Sequence, residues 1–72
     1  MNAQELLEQH YLKMSEYIEQ CIKTYNIVQE REIAVHERDK QYYDNEIFHN
    51  RNLADAMLQD LIAWEKEQYL RR

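Results

Sequence analysis

No glycine and no proline occur in the 72 residues, and the one cysteine, Cys21, has no companion. Each absence excludes something. Without glycine no residue enters left-handed backbone conformations freely, and without proline there is no fixed helix stop. Tight β-hairpin turns are thereby disfavoured, and an all-α chain is the natural reading. Missing glycine also removes the phosphate-cradling loops of the Walker and dinucleotide types. A single thiol rules out an intramolecular disulfide and a multi-cysteine zinc site, and fits a reducing, cytoplasmic compartment. The longest unbroken apolar run is Leu61-Ile62-Ala63-Trp64, far short of a membrane span. Residues Met1 to Gln9 carry neither the basic cluster nor the apolar core of a secretory signal.

Positive charge is also sparse. Nine basic residues face 14 acidic ones, for a net charge of −5, and only Arg71 and Arg72 are adjacent. Affinity for nucleic acid comes largely from clustered Lys and Arg, so direct binding to DNA or RNA is not expected. The surplus is densest in residues 29 to 46, which hold six acids and three bases. Such a stretch reads first as a solvated helix face, with nucleic-acid mimicry or a basic protein surface as the functional alternatives. A chain this short buries only about 60% of its unfolded surface when it folds alone. It rarely encloses a catalytic cleft, so no enzymatic activity and no cofactor is expected.

Periodicity supplies the rest. From Leu6 to Val28 the apolar residues fall at Leu7, Tyr11, Met14, Ile18, Cys21, Tyr25 and Val28, alternating spacings of four and three. That is a helix with one buried seam, widened by Tyr17 and Ile22 towards the stripe of a bundle helix. In the second half Tyr43, Ile47, Ala54, Met57, Leu58, Leu61 and Trp64 share one face at 100° per residue, with Leu53 and Ile62 at its edges. Between the two seams the pattern fails, because Glu32, His36 and Asp39 occupy the positions that would extend the first. Only Ile33, Ala34 and Val35 interrupt the polarity there.

Three breaks are compatible with capping chemistry: at Asn26, at Asp44-Asn45, and at Asn50 with Asn52. The favoured arrangement is an antiparallel helical hairpin, with helices over about 3–35 and 46–70, a bend within 36–46, and the two apolar faces meeting. Two such hairpins are expected to dimerise into a four-helix bundle, the whole chain forming one small domain. A three-helix arrangement broken near Asn26 and Asn50 is the alternative. A single helix of roughly 108 Å is disfavoured by the charges it would place in a coiled-coil seam.

Few residues suggest chemistry. Glu46-x-x-His49 has the i, i+3 spacing of carboxylate-bridged metal sites in bundles, with Glu16 or Glu19 on the facing helix as a third ligand. His49, however, projects about 200° from the neighbouring apolar seam, and no metal is expected. Glu32 and His36 read as a solvated i, i+4 pair, and His10 as a solvated residue near the first turn. Cys21, in the seam, reads as a buried small hydrophobe. Tyr and off-seam apolar residues are more suggestive. Tyr11 and Tyr25 belong to the first seam, whereas Tyr42 and Tyr43 sit by the bend and Tyr69 near the end. Leu12, Ile27, Phe48 and Leu70 fall off both seams. Phe48, Leu70, Tyr42 and Tyr43 are therefore the candidate partner-binding residues. The function expected is a non-catalytic protein–protein interaction module, a small regulator, inhibitor or adaptor of bacterial or phage type acting through an acidic helical surface. The alternatives are a carboxylate/His metal bundle and a self-assembling coiled-coil component.

Overall fold

In the computed structural model residues 2–70 are described, and they form two α-helices, α1 (Ala3–Ile33) and α2 (Glu37–Tyr69), folded against each other as a hairpin. The hairpin is long and thin, 54 × 17 × 11 Å. Arg71 and Arg72, the adjacent basic pair, lie outside the described residues. No helix is long and apolar enough to cross a membrane among the residues described.

Helix α1 starts where Asn2 caps it, the side-chain Oδ1 accepting the Glu5 backbone N–H at 2.8 Å. Glu5 adds negative charge at the N-terminal turn and Arg31 positive charge at the last, each favourable to the helix dipole. The break comes at Ala34, in extended geometry with φ −71° and ψ 136°, its N–H bonded to the Arg31 carbonyl at 3.1 Å. α2 then begins from an extended His36 that makes no side-chain cap, and its first turn is charged instead by Glu37 and Asp39. No described residue has positive φ, so the chain reverses without glycine's conformational freedom.

The reversal therefore occupies Ala34–His36, with only His36 inside the expected window of 36–46, and α2 starts about nine residues earlier than the periodicity suggested. The reason is local. Ile33 and Val35 are β-branched, lose χ1 freedom in a helix, and flank the one apolar stretch of the polar middle. Glu37 and Asp39 follow at once as an acidic first turn. Asp44 and Asn45 consequently lie inside α2, where Asp44 pairs with Arg31 of α1 rather than capping a helix. Asn26 and Asn50 are also helical, which removes the three-helix alternative.

A second correction concerns the faces. The expectation that two apolar faces meet inside the hairpin holds for α2 only. There Tyr43, Ile47, Ala54, Leu58, Leu61 and Trp64 are buried or half-buried, with Met57 on the rim. α1 instead turns inward the ladder Leu6, His10, Lys13, Tyr17, Gln20, Thr24, Ile27 and Arg31. Its spacing is the same alternation of four and three, displaced by one residue, or about 100° around the helix. The choice follows the polar groups. On this ladder Gln20 meets Asn50, Arg31 meets Asp44 and His10 meets Glu65, whereas the apolar ladder offers them nothing.

Packing is correspondingly thin. Leu61 is the one hydrophobic side chain among the described residues that is buried, at 7% exposure. The chain exposes 6042 Å², whereas a folded monomer of its mass shows about 4,850 Å². Two helices in a single layer have no third element over either flank, and the excess lies there.

Candidate functional site

The face that the hairpin leaves open is the apolar ladder of α1. Leu7, Tyr11, Ile18 and Tyr25, with Ile22 flanking them, are 51 to 75% exposed, and Met14 is 43% exposed. Cys21 and Val28 are half-buried at the edge where the ladder meets the interhelical contact. The ladder runs through seven residues from Leu7 to Val28, a length of roughly 32 Å at 1.5 Å per residue. Few charged groups interrupt it: Glu5, Glu16 and Glu19 lie on other sides of the helix, and Glu8 borders it beside Leu7 and Tyr11. Tyr25 is held in place by Gln29, whose Nε2 donates to the Tyr25 hydroxyl at 2.7 Å.

Beside the ladder, Cys21 and Thr24 of α1 form a groove with Arg51, Ala54 and Asp55 of α2. Arg51 and Asp55 are exposed, so the α2 rim on this side is charged. Tyr17 stands at the same edge. A hydrogen bond with Cys21, then electrostatic interaction with Cys21, burial and the nearby Asp55 carboxylate, in that order, hold its phenol above the ordinary value.

Beneath the ladder a polar lock fixes the register of the two helices. Gln20 and Asn50 are buried at 8% and 5% exposure. The Gln20 Nε2 donates to Asn50 Oδ1 at 2.8 Å and to the Asn50 carbonyl at 3.2 Å. Asn50 Nδ2 in turn donates to the Glu46 carbonyl at 2.8 Å. No buried side-chain polar atom among the described residues lacks a partner. A buried amide pair of this kind stabilises only the matched register, since sliding one helix by a turn strands both groups.

Two further clusters pin the ends. Near the chain termini His10 lies among Trp64, Tyr69 and Glu65. Its ring centroid is 5.5 Å from that of Trp64, Nδ1 shares a 3.1 Å hydrogen bond with the Tyr69 hydroxyl, and Nε2 is 3.5 Å from Glu65 Oε2. Lys13 sits over the same indole, 5.7 Å from its centroid. His10 is thus a packed residue, not the solvated one that its position near the first turn suggested. By the bend, Arg31 pairs with Asp44, whose carboxylate holds the guanidinium above its usual value.

Of the sequence-derived partner residues, Phe48, Leu70 and Tyr42 are 60 to 75% exposed, as their off-seam positions implied. Tyr43 is half-buried in the interhelical contact, its ring edge-on to Tyr42 at 5.4 Å. Phe48 lies over a shallow groove with Asp44, Ile47, Arg51 and Asp55. Ile27, expected off both seams, belongs to the inner ladder. The candidate metal ligands Glu46, His49 and Glu16 are not brought together. Glu16 faces Met57, Asp60 and Leu61, and no group of three His, Cys, Asp or Glu is placed to share an ion among the described residues.

Gln20, Asn50 and His10 were missed by periodicity because polar residues score against a seam. For Gln20 and His10 the signal was the second alternating ladder of α1, visible in Leu6, Tyr17 and Ile27; Asn50 on α2 had none. Comparison of the chain with protein families, with curated proteins and with solved structures returns no match.

Proposed function

We propose that the protein is a non-catalytic helical interaction module, a small regulator, inhibitor or adaptor of another protein in the cytoplasm, and that two hairpins join as a homodimeric four-helix bundle. One observation carries the reading: the strongest apolar ladder of the chain, Leu7 to Tyr25, faces outward while a polar lock occupies the hairpin's interior. A hairpin that buries one hydrophobic residue is completed by another polypeptide. The acidic surplus, densest around the bend, favours a partner with a basic surface over nucleic acid.

Phe48, Leu70 and Tyr42 remain exposed away from the ladder and serve the second contact, the one made with the regulated protein. The test is a photoreactive residue at position 48 in cells that make the protein. Discrete adducts with one or a few other proteins are expected, and Leu70→Ala should remove them without loss of helicity. Background labelling alone, at positions 42, 48 and 70 alike, would refute the assignment.

A further inference from the structure

Resting on the homodimer just proposed, we infer that α1 is the dimer helix: its outward ladder packs on the same ladder of a second copy, antiparallel, with the two-fold axis beside Ile18. Three observations lead there. The first is angular. In a four-helix bundle each helix touches two neighbours roughly at right angles, so it needs two ladders about a quarter-turn apart. α1 has that pair: the inner ladder through Gln20 and the outer one through Ile18, offset by one residue.

The second is the choice of occupant. The α2 rim beside the ladder presents exposed Arg51 and Asp55, which could cover the apolar residues only by losing their own hydration. The one long apolar surface the hairpin offers in exchange is the ladder itself, and a two-fold interface is necessarily a patch meeting its own copy. The third is area. Over its whole elongated surface the chain exposes about 1,200 Å² more than a compact monomer of its mass, against the roughly 800 Å² per partner that a standard interface takes.

Direction and register follow from the ladder's ends. Antiparallel packing opposes the two helix dipoles. Full overlap of residues 7 to 28 on a second copy places Leu7 opposite Val28 and Met14 opposite Cys21. The same geometry keeps Cys21 about seven residues, or about 10 Å along the axis, from its own symmetry mate, beyond the reach of a disulfide.

Cysteine cross-linking of the full chain tests this, after light scattering over a hundredfold concentration range has given the mass. The wild type is expected at twice 9.0 kDa and Ile18→Glu at half the wild-type mass with its helicity kept. Under mild oxidation Met14→Cys should form a covalent dimer through Cys21 of the other copy. Neither the wild type nor Met14→Cys with Cys21→Ser should do so. A second variant, Leu7→Cys with Val28→Cys and Cys21→Ser, reports the same register from the ends, since those two positions lie far too distant to join within one helix. A wild type that oxidises readily through Cys21 would mean parallel helices and overturn the inference. So would a dimeric wild type whose two cysteine variants both stay uncross-linked, which leaves the homodimer standing. A monomer at every concentration would remove both the homodimer and this pairing, and position 48 would still test partner binding.

Discussion

Asn50→Leu is the substitution most diagnostic of how the hairpin is held. It removes the Oδ1 that Gln20 reaches at 2.8 Å and the Nδ2 that satisfies the Glu46 carbonyl. The Gln20 amide keeps one bond, the longer one to the residue-50 carbonyl at 3.2 Å, inside a site only 8% exposed. Leaving a buried polar group short of a partner costs about 1–3 kcal/mol. With a urea dependence of about 1 kcal/mol/M for so small a chain, the midpoint should fall by about 1–3 M. Replacing both amides, Gln20→Leu with Asn50→Leu, removes the mismatch and should return the midpoint to near the wild-type value. The coupling between the two sites should then lie within the range of about 0.5–3 kcal/mol seen for residues in contact. Circular dichroism at fixed protein concentration is the assay, because association would otherwise enter the comparison. If Asn50→Leu alone were as stable as the wild type, or if the two changes were simply additive, the lock would be incidental. The double variant should also lose register, seen as broadened amide resonances, since apolar ladders slide where paired amides cannot.

Three further outcomes are expected. Leu61→Asp places a carboxylate at the hairpin's one buried apolar position; the loss of at least about 3 kcal/mol is a large share of the stability such a domain has, and helicity at room temperature should collapse. Because the Tyr17 phenol is held above its ordinary value by Cys21, the neutral form is favoured in the folded chain and the unfolded chain ionises first. That contribution is complete below about pH 10 and is lost as pH rises through the folded value. Cys21→Ala should lower the alkaline end of the tyrosinate titration, read as the difference between wild type and Tyr17→Phe; an unchanged difference would break the assignment. His10→Ala removes the ring lodged between Trp64 and Tyr69 and should red-shift the emission of the chain's single tryptophan without changing its state of association.

Helix content and the hairpin were legible in the sequence because they depend on quantities that add along the chain. Seven apolar residues in strict alternation make an amphipathic helix whatever covers them. Which face meets which is not additive. The inner contact of α1 was decided by pairwise matches, Gln20 with Asn50, Arg31 with Asp44 and His10 with Glu65, each between residues that are distant in sequence and whose pairing no local pattern shows. The bend was misplaced because Asp44 and Asn45 are good caps in isolation, whereas the chain turns earlier, at the β-branched Ile33 and Val35, and carries Asp44 inside α2 opposite Arg31. Phe48 is exposed as its angle on the amphipathic helix implied, whereas Leu70 is exposed as the residue that caps the end of α2.

The three-residue reversal has a consequence for how the molecule's topology is written. Ala34 and His36 adopt ordinary extended backbone, and no described residue requires a left-handed conformation. Nothing in the local chain therefore compels the return direction, which is imposed from a distance by the lock and by the pairing of Arg31 with Asp44. An opened chain, its α2 laid on the α1 of a neighbour, would satisfy every one of those pairings unchanged. The free-energy difference between the closed and exchanged forms is thus confined to three residues and the entropy of joining two chains.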